Sequence, residues 1–156
     1  MQWIARALAL AAVLWVISLP VAVFAAHQPS GSPANLFAFA VYTLGSVICH
    51  QRPERSFHLW SAQLPVCARC TGIYIGAAVG ALAAMGPTGV GRPAAAGRRP
   101  GLTAQTARLA LTIAVVPAVL TLLYEWTTGT APSNMIRALS GVVLGATAAW
   151  VVVRQT

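Results

Sequence analysis

Residues 3–26 read WIARALALAAVLWVISLPVAVFAA, twenty-four positions with one charge, Arg6. A helix of that length rises about 36 Å, enough to cross a hydrocarbon slab about 30 Å thick. Val23 and Ala25 would suit a small-residue cleavage rule. The run is nevertheless longer than a leader's apolar core of about 7–15 residues, so it is expected to stay as a span. Four more apolar runs follow outward from it, at 34–48, 71–85, 107–126 and 134–153. Composition agrees, since 156 residues that are 58% hydrophobic and 8% charged, with a mean hydropathy of +0.73, are too apolar for a soluble domain. The expected fold is all-α, a polytopic transmembrane helical bundle forming a single integral membrane domain over residues 1–156. Four runs are spans. The short run at 34–48 covers only about 22 Å and is either an oblique fifth span or re-entrant.

The third run carries Gly72, Gly76 and Gly80 at four-residue steps, and the fifth repeats the device with Gly141, Gly145 and Ala149. Glycines so spaced flatten one helix face and let a second backbone approach, so these two helices are expected to pair. Between the third and fourth runs, residues 86–106 are rich in Gly, Pro, Ala and Arg, lack apolar periodicity and read as a flexible basic loop. Five tryptophans, Trp3, Trp15, Trp60, Trp126 and Trp150, fall mostly near run ends and suit interfacial anchoring.

The formal charge of +8 comes from ten arginines against two glutamates, with no lysine. The arginines sit in loops and at run ends rather than on one basic face, which argues against a nucleic acid and for membrane lipids as partners. No protein partner is indicated. If 34–48 crosses, Arg92, Arg98, Arg99, Arg108 and Arg154 face Arg6, Arg52, Arg55, Arg69 and Arg137 in an even split. Discounting the block's arginines, which sit next to acids and thiols, favours a cytoplasmic loop 86–106, and if 34–48 is re-entrant Arg6 joins that side too; either way residues 49–70 are expected at the extracytoplasmic face.

Chemistry is concentrated in that Cys/His block, 49–70. CHQRPERSFH at 49–58 and CARC at 67–70 hold all three cysteines, Cys49, Cys67 and Cys70, with His50, His58, Arg52, Arg55, Arg69 and one of the two acidic residues, Glu54. The block C-H-Q-x-P-x-R-S-F, then P-x-C-x-R-C-x-G-x-Y-x-G, then an acidic residue and Ser-Asn-x-x-Arg-x-x-x-Gly, resembles a family of small prokaryotic membrane proteins built on a domain of unknown function. The resemblance covers about residues 36–145. It points to Cys49, His50, Gln51, Pro53, Arg55, Ser56, Phe57, Cys67, Arg69, Cys70, Gly72, Tyr74, Gly76, Ser133, Asn134, Arg137 and Gly141. The acidic position, Glu125 here, is more often aspartate in the family. The resemblance implies a membrane bundle and no reaction.

Residue chemistry leaves three functions open. Cys67-x-x-Cys70 supplies two thiolates to one tetrahedral ion, and Cys49 with His50 or His58 would complete a Cys3His zinc site, His58 being the better fourth ligand because adjacent Cys49 and His50 point in different directions on most backbones. Arg52, Arg55 and Arg69 would offset the thiolate charge. The same Cys-x-x-Cys spacing suits thiol–disulfide redox, with Cys49 resolving a mixed disulfide and a lipid-soluble quinone as electron partner. Thirdly, Arg52, Arg55, Arg69 and Arg137, with Gln51 beside them, could clamp an anionic lipid headgroup in a binding protein or an enzyme, with His50 or Glu125 moving a proton. No phosphatase or transferase motif assigns a reaction.

Helix direction adds one expectation independent of orientation. The third helix leaves the Cys block and the fourth returns, so Glu125 and Arg137 share the block's face. Arg137 in a first helical turn, after Ser133 as N-cap, opposes the macrodipole and calls for a carboxylate. A Glu125–Arg137 clamp is expected.

Overall fold

The structure, a computed structural model, describes residues 2–85 and 102–155. Five helices dominate: α1 (Gln2–Ala26), α2 (Pro33–Ile48), α3 (Ala68–Met85), α4 (Ala104–Thr128) and α5 (Asn134–Gln155). A 3-10 turn (Pro53–Arg55) and a two-stranded hairpin, β1 (Ser56–Leu59) and β2 (Ala62–Cys67), fill the interval between α2 and α3. The protein is a polytopic helical membrane bundle in which α1, α3, α4 and α5 are each long and apolar enough to cross. Local signals set the starts. Ser32 caps α2 by accepting from the Ala34 N–H at 3.3 Å, with Pro33 at the first helical position, and Thr103 caps α4 through the Thr106 N–H at 3.2 Å.

Two of the expected helix starts move by three residues. The fourth helix starts at Ala104 rather than 107, because Thr103 supplies the cap. The basic stretch read at 86–106 is therefore helical in its last three residues, while 86–101, with Arg92, Arg98 and Arg99, lies outside the described residues. The third helix starts at Ala68 rather than 71, which brings Arg69 and Cys70 into its first turn.

Packing distinguishes two ends of the bundle. At one, Ala5 and Ala9 of α1 bury against Ala81 and Ala84 of α3 and Val153 of α5. At the other, Leu19, Ala22 and Val23 of α1 bury against Val41, Cys49, Leu64 and Val66. So α1 runs antiparallel to α3, and α2, which starts just past the end of α1, finishes at that same end. The choice left open for the short helix is thereby resolved against a full crossing.

The α3–α5 contact is the closest between helices. A Cβ on Gly72 would overlap the Ala138 carbonyl, one on Gly76 the Val142 carbonyl, and one on Gly80 the Ala146 carbonyl. In return, Gly141 meets Arg69 and Gly145 meets Ile73 through their backbones. The pairs climb in step, so the helices are parallel and both begin at the Cys-block end. Lipid tails are as apolar as side chains, so close van der Waals packing of this kind holds membrane helices together.

The hairpin is the element that sequence patterning left unseen. Its two-residue turn, Trp60-Ser61, takes φ of 50° and 64°, the doubly left-handed form that normally selects Asn-Gly or Asp-Gly. Trp-Ser gives no such signal. The rings of Trp60 and Phe24 meet edge to face at 6.2 Å and fix the hairpin to the end of α1.

Candidate functional site

Cys49 caps the end of α2, its N–H donating to the Gly45 carbonyl at 2.9 Å. Two residues on, Gln51 adopts a left-handed φ of 46° and reverses the chain. The Gln51 amide donates to the Tyr42 carbonyl at 2.8 Å and to the Pro65 carbonyl at 2.6 Å. Gln63 donates to the Gln51 carbonyl at 2.5 Å, and the Tyr42 hydroxyl donates to the Gln63 carbonyl at 2.5 Å. These bonds staple the end of α2 to β2, and a Cβ at Gly45 would overlap the Pro65 carbonyl. The staple delivers Cys49 to the junction of β2 and α3, where Cys67 and Cys70 lie.

The three sulfurs lie within 4.8 Å of one another. Cys49 is buried, Cys67 and Cys70 are half-buried, and all three are free thiols. The Cys67 N–H donates to the Cys49 sulfur at 3.1 Å. Hydrogen bonding from the Cys70 thiol, aided by N–H groups at the start of α3, holds the Cys67 thiol down to about 5 against the opposing effect of burial.

Over the triad opens a cavity of about 330 Å3 lined by Ile48, Cys49, His50, Arg52, Arg55, Cys67, Arg69, Cys70 and Arg137. His50 is exposed and lines it. His58, expected to be the better fourth ligand, does not line the cavity and stands exposed on β1, so the expected preference is reversed. A bulge between Ser56 and His58 breaks the alternation, so Ser56 is buried while the residue two along faces out. Gln51 and Glu125 do not line the cavity either. Gln51 serves the staple, and Glu125 holds arginines.

Arg137 donates to Glu125 at 2.6 Å, and Arg55 takes the other carboxylate oxygen. Arg69 reaches across to donate to the Thr121 hydroxyl on α4 at 3.0 Å. The Nε atoms of both Arg69 and Arg137 are buried without a hydrogen-bond partner among the described residues. Ser133 accepts from the Ile136 N–H at 3.4 Å, and Asn134 donates to the Ser56 carbonyl at 3.1 Å, tying the start of α5 to the hairpin. Glu54 sits exposed on the rim, 4.0 Å from Arg52 and 3.9 Å from Arg55. Sequence reading passed over Tyr42, Gln63 and Thr121. The first two had a signal in their polarity beside apolar neighbours, whereas Thr121 satisfies its own helix by donating to Ala118 and carried none.

Residues 49–151 match DUF2085, a family described as predicted membrane proteins, which is more than half of the chain. The chain belongs to that family. The DUF2085 match begins at Cys49 and takes in the hairpin, α3, α4 and most of α5, and so every residue of the cavity except Ile48. An uncharacterised protein of Methanocaldococcus jannaschii is 45% identical over 53 residues, 32% of this chain and 34% of that protein. One of Methanothermobacter thermautotrophicus is 60% identical over 30 residues, 19% of this chain and 27% of that protein. The chain thus matches about a third or less of the length of these relatives. No solved structure matches it.

Proposed function

We propose that this membrane protein holds a zinc ion on Cys49, Cys67 and Cys70. The observation that carries the reading is the convergence of three thiols from three elements to within 4.8 Å, near the separation of about 3.8 Å that tetrahedral Zn–S bonds of about 2.3 Å require. The residues fit the group. Cys67 is disposed to be a thiolate, the Cys49 sulfur accepts the Cys67 N–H, and His50 lines the cavity where a fourth ligand would enter. Zinc bound there would supply a fixed cross-link between α2, the hairpin and α3, with a Lewis-acidic position facing the cavity. Arg52, Arg55 and Arg69 stand close enough to offset the charge of three thiolates.

The arginine distribution supports an extracytoplasmic site. With α2 not crossing, Arg6, Arg108 and Arg154 belong to the end of the bundle opposite the cysteines, as do the end of α3 and the start of α4, between which Arg92, Arg98 and Arg99 fall in sequence. By the positive-inside rule that end is cytoplasmic.

A second reading, thiol–disulfide exchange, is favoured by the low Cys67 value. Cys67 and Cys70 would lose two electrons and two protons to a lipid-soluble quinone, forming a disulfide and the quinol. Elemental analysis of the purified protein alongside a thiol count separates the two. Zinc near one per chain, abolished by Cys67→Ser or Cys70→Ser and kept by His27→Ala, is the expected result. Equal metal in all three variants would overturn the zinc reading, and metal-free protein with a reversible Cys67–Cys70 disulfide would favour exchange.

A further inference from the structure

Charge around the cavity is unbalanced. Arg52, Arg55, Arg69 and Arg137 all line it, while one carboxylate, Glu125, is nearly buried beside it and is shared by Arg55 and Arg137. The other, Glu54, meets Arg52 and Arg55 only at 4.0 and 3.9 Å on an exposed rim, where solvent screens the pairing. Three thiolates on one divalent ion sum to a single negative charge, so a cationic surplus persists with or without a metal. A surplus of this kind is costly away from water unless an anion joins it.

A second observation is independent of the charge count. The Arg137 side chain is only 4% exposed, lines the cavity, and keeps its Nε without a partner among the described residues. Arg69 repeats the pattern, with one terminal nitrogen spent on Thr121 and a buried, unpartnered Nε. Buried polar donors are rarely left unused, so a ligand or an ordered water is expected at these nitrogens. The volume, about 330 Å3, lies at the small end of ligand pockets, about 300–1,000 Å3.

We propose that this cavity is a binding chamber for a phosphate group. Planar guanidinium forks match phosphate oxygens two at a time, and a tetrahedral oxyanion can take them from several sides, whereas a planar carboxylate offers one edge. Arg137 and Arg55 are held in place by Glu125, Arg69 by Thr121, and Arg52 closes the rim. The chamber goes beyond the zinc reading and does not rest on it. The group can arrive on a free phosphate or on an anionic phospholipid, and Ile48, exposed at the end of α2, gives the cavity an apolar lip on which an acyl-bearing ligand could rest.

The test uses the full chain in phosphatidylcholine nanodiscs, titrated calorimetrically with inorganic phosphate, and in parallel native mass spectrometry of protein offered vesicles of equal phosphatidylglycerol and phosphatidylcholine. Saturable phosphate binding, weakened about tenfold or more by Arg52→Gln and by Arg137→Lys and unchanged by the distant Arg108→Gln, is the result expected for a free ligand. Selective retention of phosphatidylglycerol, lost in the same two variants, is the result expected for a lipid. Arg52 stands on the exposed rim outside the Glu125 clamp, so its variant remains informative even if Arg137→Lys does not fold. No binding of either probe, or binding that the Arg52 variant leaves intact, would overturn the proposal. Zinc content measured on the same samples separates the two readings, since metal-free protein that still binds phosphate refutes the zinc site alone, and zinc-loaded protein blind to both probes refutes the chamber alone.

Discussion

Glu125 holds two arginines of unequal burial, Arg137 with 4% of its side chain exposed and Arg55 with 37%. Replacing Glu125 by glutamine leaves Arg137 as a buried, unpaired cation, and is expected to cost about 3–5 kcal/mol. Arg137→Gln should cost less, because the carboxylate it abandons still has Arg55. Arg55→Gln, half in water, should cost about 1 kcal/mol or less. The Glu125→Gln, Arg137→Gln double variant should lose less than the two singles together, measured by thermal or denaturant unfolding in detergent. Strictly additive losses would mean the pair does not interact. Arg137's need for a carboxylate was legible in the sequence, from a cation in a first helical turn, but Arg55's share in it was not, because that contact depends on where the hairpin places Arg55. A second residue-scale expectation concerns Cys67 in metal-free protein. Its folded value of about 5 lies below the ordinary thiol value of about 8.5. The native state is then stabilised by the thiolate fully above about pH 8.5, and that stabilisation is lost as pH falls toward about 5. Alkylation of Cys67 by iodoacetamide should accordingly stay nearly flat from about pH 8 to about pH 6.5, and Cys70→Ala should restore the steep rise through about pH 8.5 of an ordinary thiol. A steep rise already present in the unaltered chain would remove the assisted thiolate.

Among the elements, the seam between α3 and α5 is the one whose sequence signature is least ambiguous. Glycines four apart fall on one face of a helix, so Gly72, Gly76 and Gly80 against Gly141 and Gly145 marked both partners in advance. Gly76→Ala tests how closely the backbones meet. On an isolated helix alanine would gain about 1 kcal/mol over glycine, but here its Cβ would overlap the Val142 carbonyl and force rigid backbone apart. Overpacking of that kind costs about 1–3 kcal/mol, so the melting temperature should fall, and Gly76→Val should lower it further. Val79→Ala, on the exposed face of the same helix, is the control and should change little. A rise in stability for Gly76→Ala would show that the seam is looser than the structure has it. The hairpin stands at the opposite extreme of legibility, with a turn that carries no turn residues and a strand face reversed by a bulge.

At the scale of the whole molecule, the non-crossing α2 makes the topology even-numbered. The start of α1, the end of α3, the start of α4 and the end of α5 then share one end of the bundle, while the cysteines, the four cavity arginines and Glu125 share the other. This segregation turns an even split of arginines into four that line a cavity and six elsewhere in the chain. Gly97→Cys, placed in the α3–α4 connection, should therefore be modified by a membrane-impermeant maleimide only after the cytoplasmic face is opened, with the unaltered chain as background. Modification in intact cells would invert the orientation and place the native thiols in the reducing cytosol, where a metal is favoured over a disulfide.

Apolar runs long enough to cross, glycine spacing, and the gathering of Cys, His and Arg into two short blocks are local properties of the chain, and each was readable from the sequence because span length and helix face depend only on neighbouring residues. Tertiary structure alone decided that α2 turns back, since a 16-residue apolar helix satisfies its own backbone whether it crosses or not, and only its burial against Leu19, Val23 and Leu64 chooses. It likewise decided that His50 lines the cavity and His58 does not, because a bulge, invisible in residue spacing, sets which way a strand residue faces. The meeting of Cys49 with Cys67 and Cys70 rests on hydrogen bonds from Gln51 and Gln63 across the α2–β2 junction, contacts between residues 12 and 14 positions apart that no local pattern encodes.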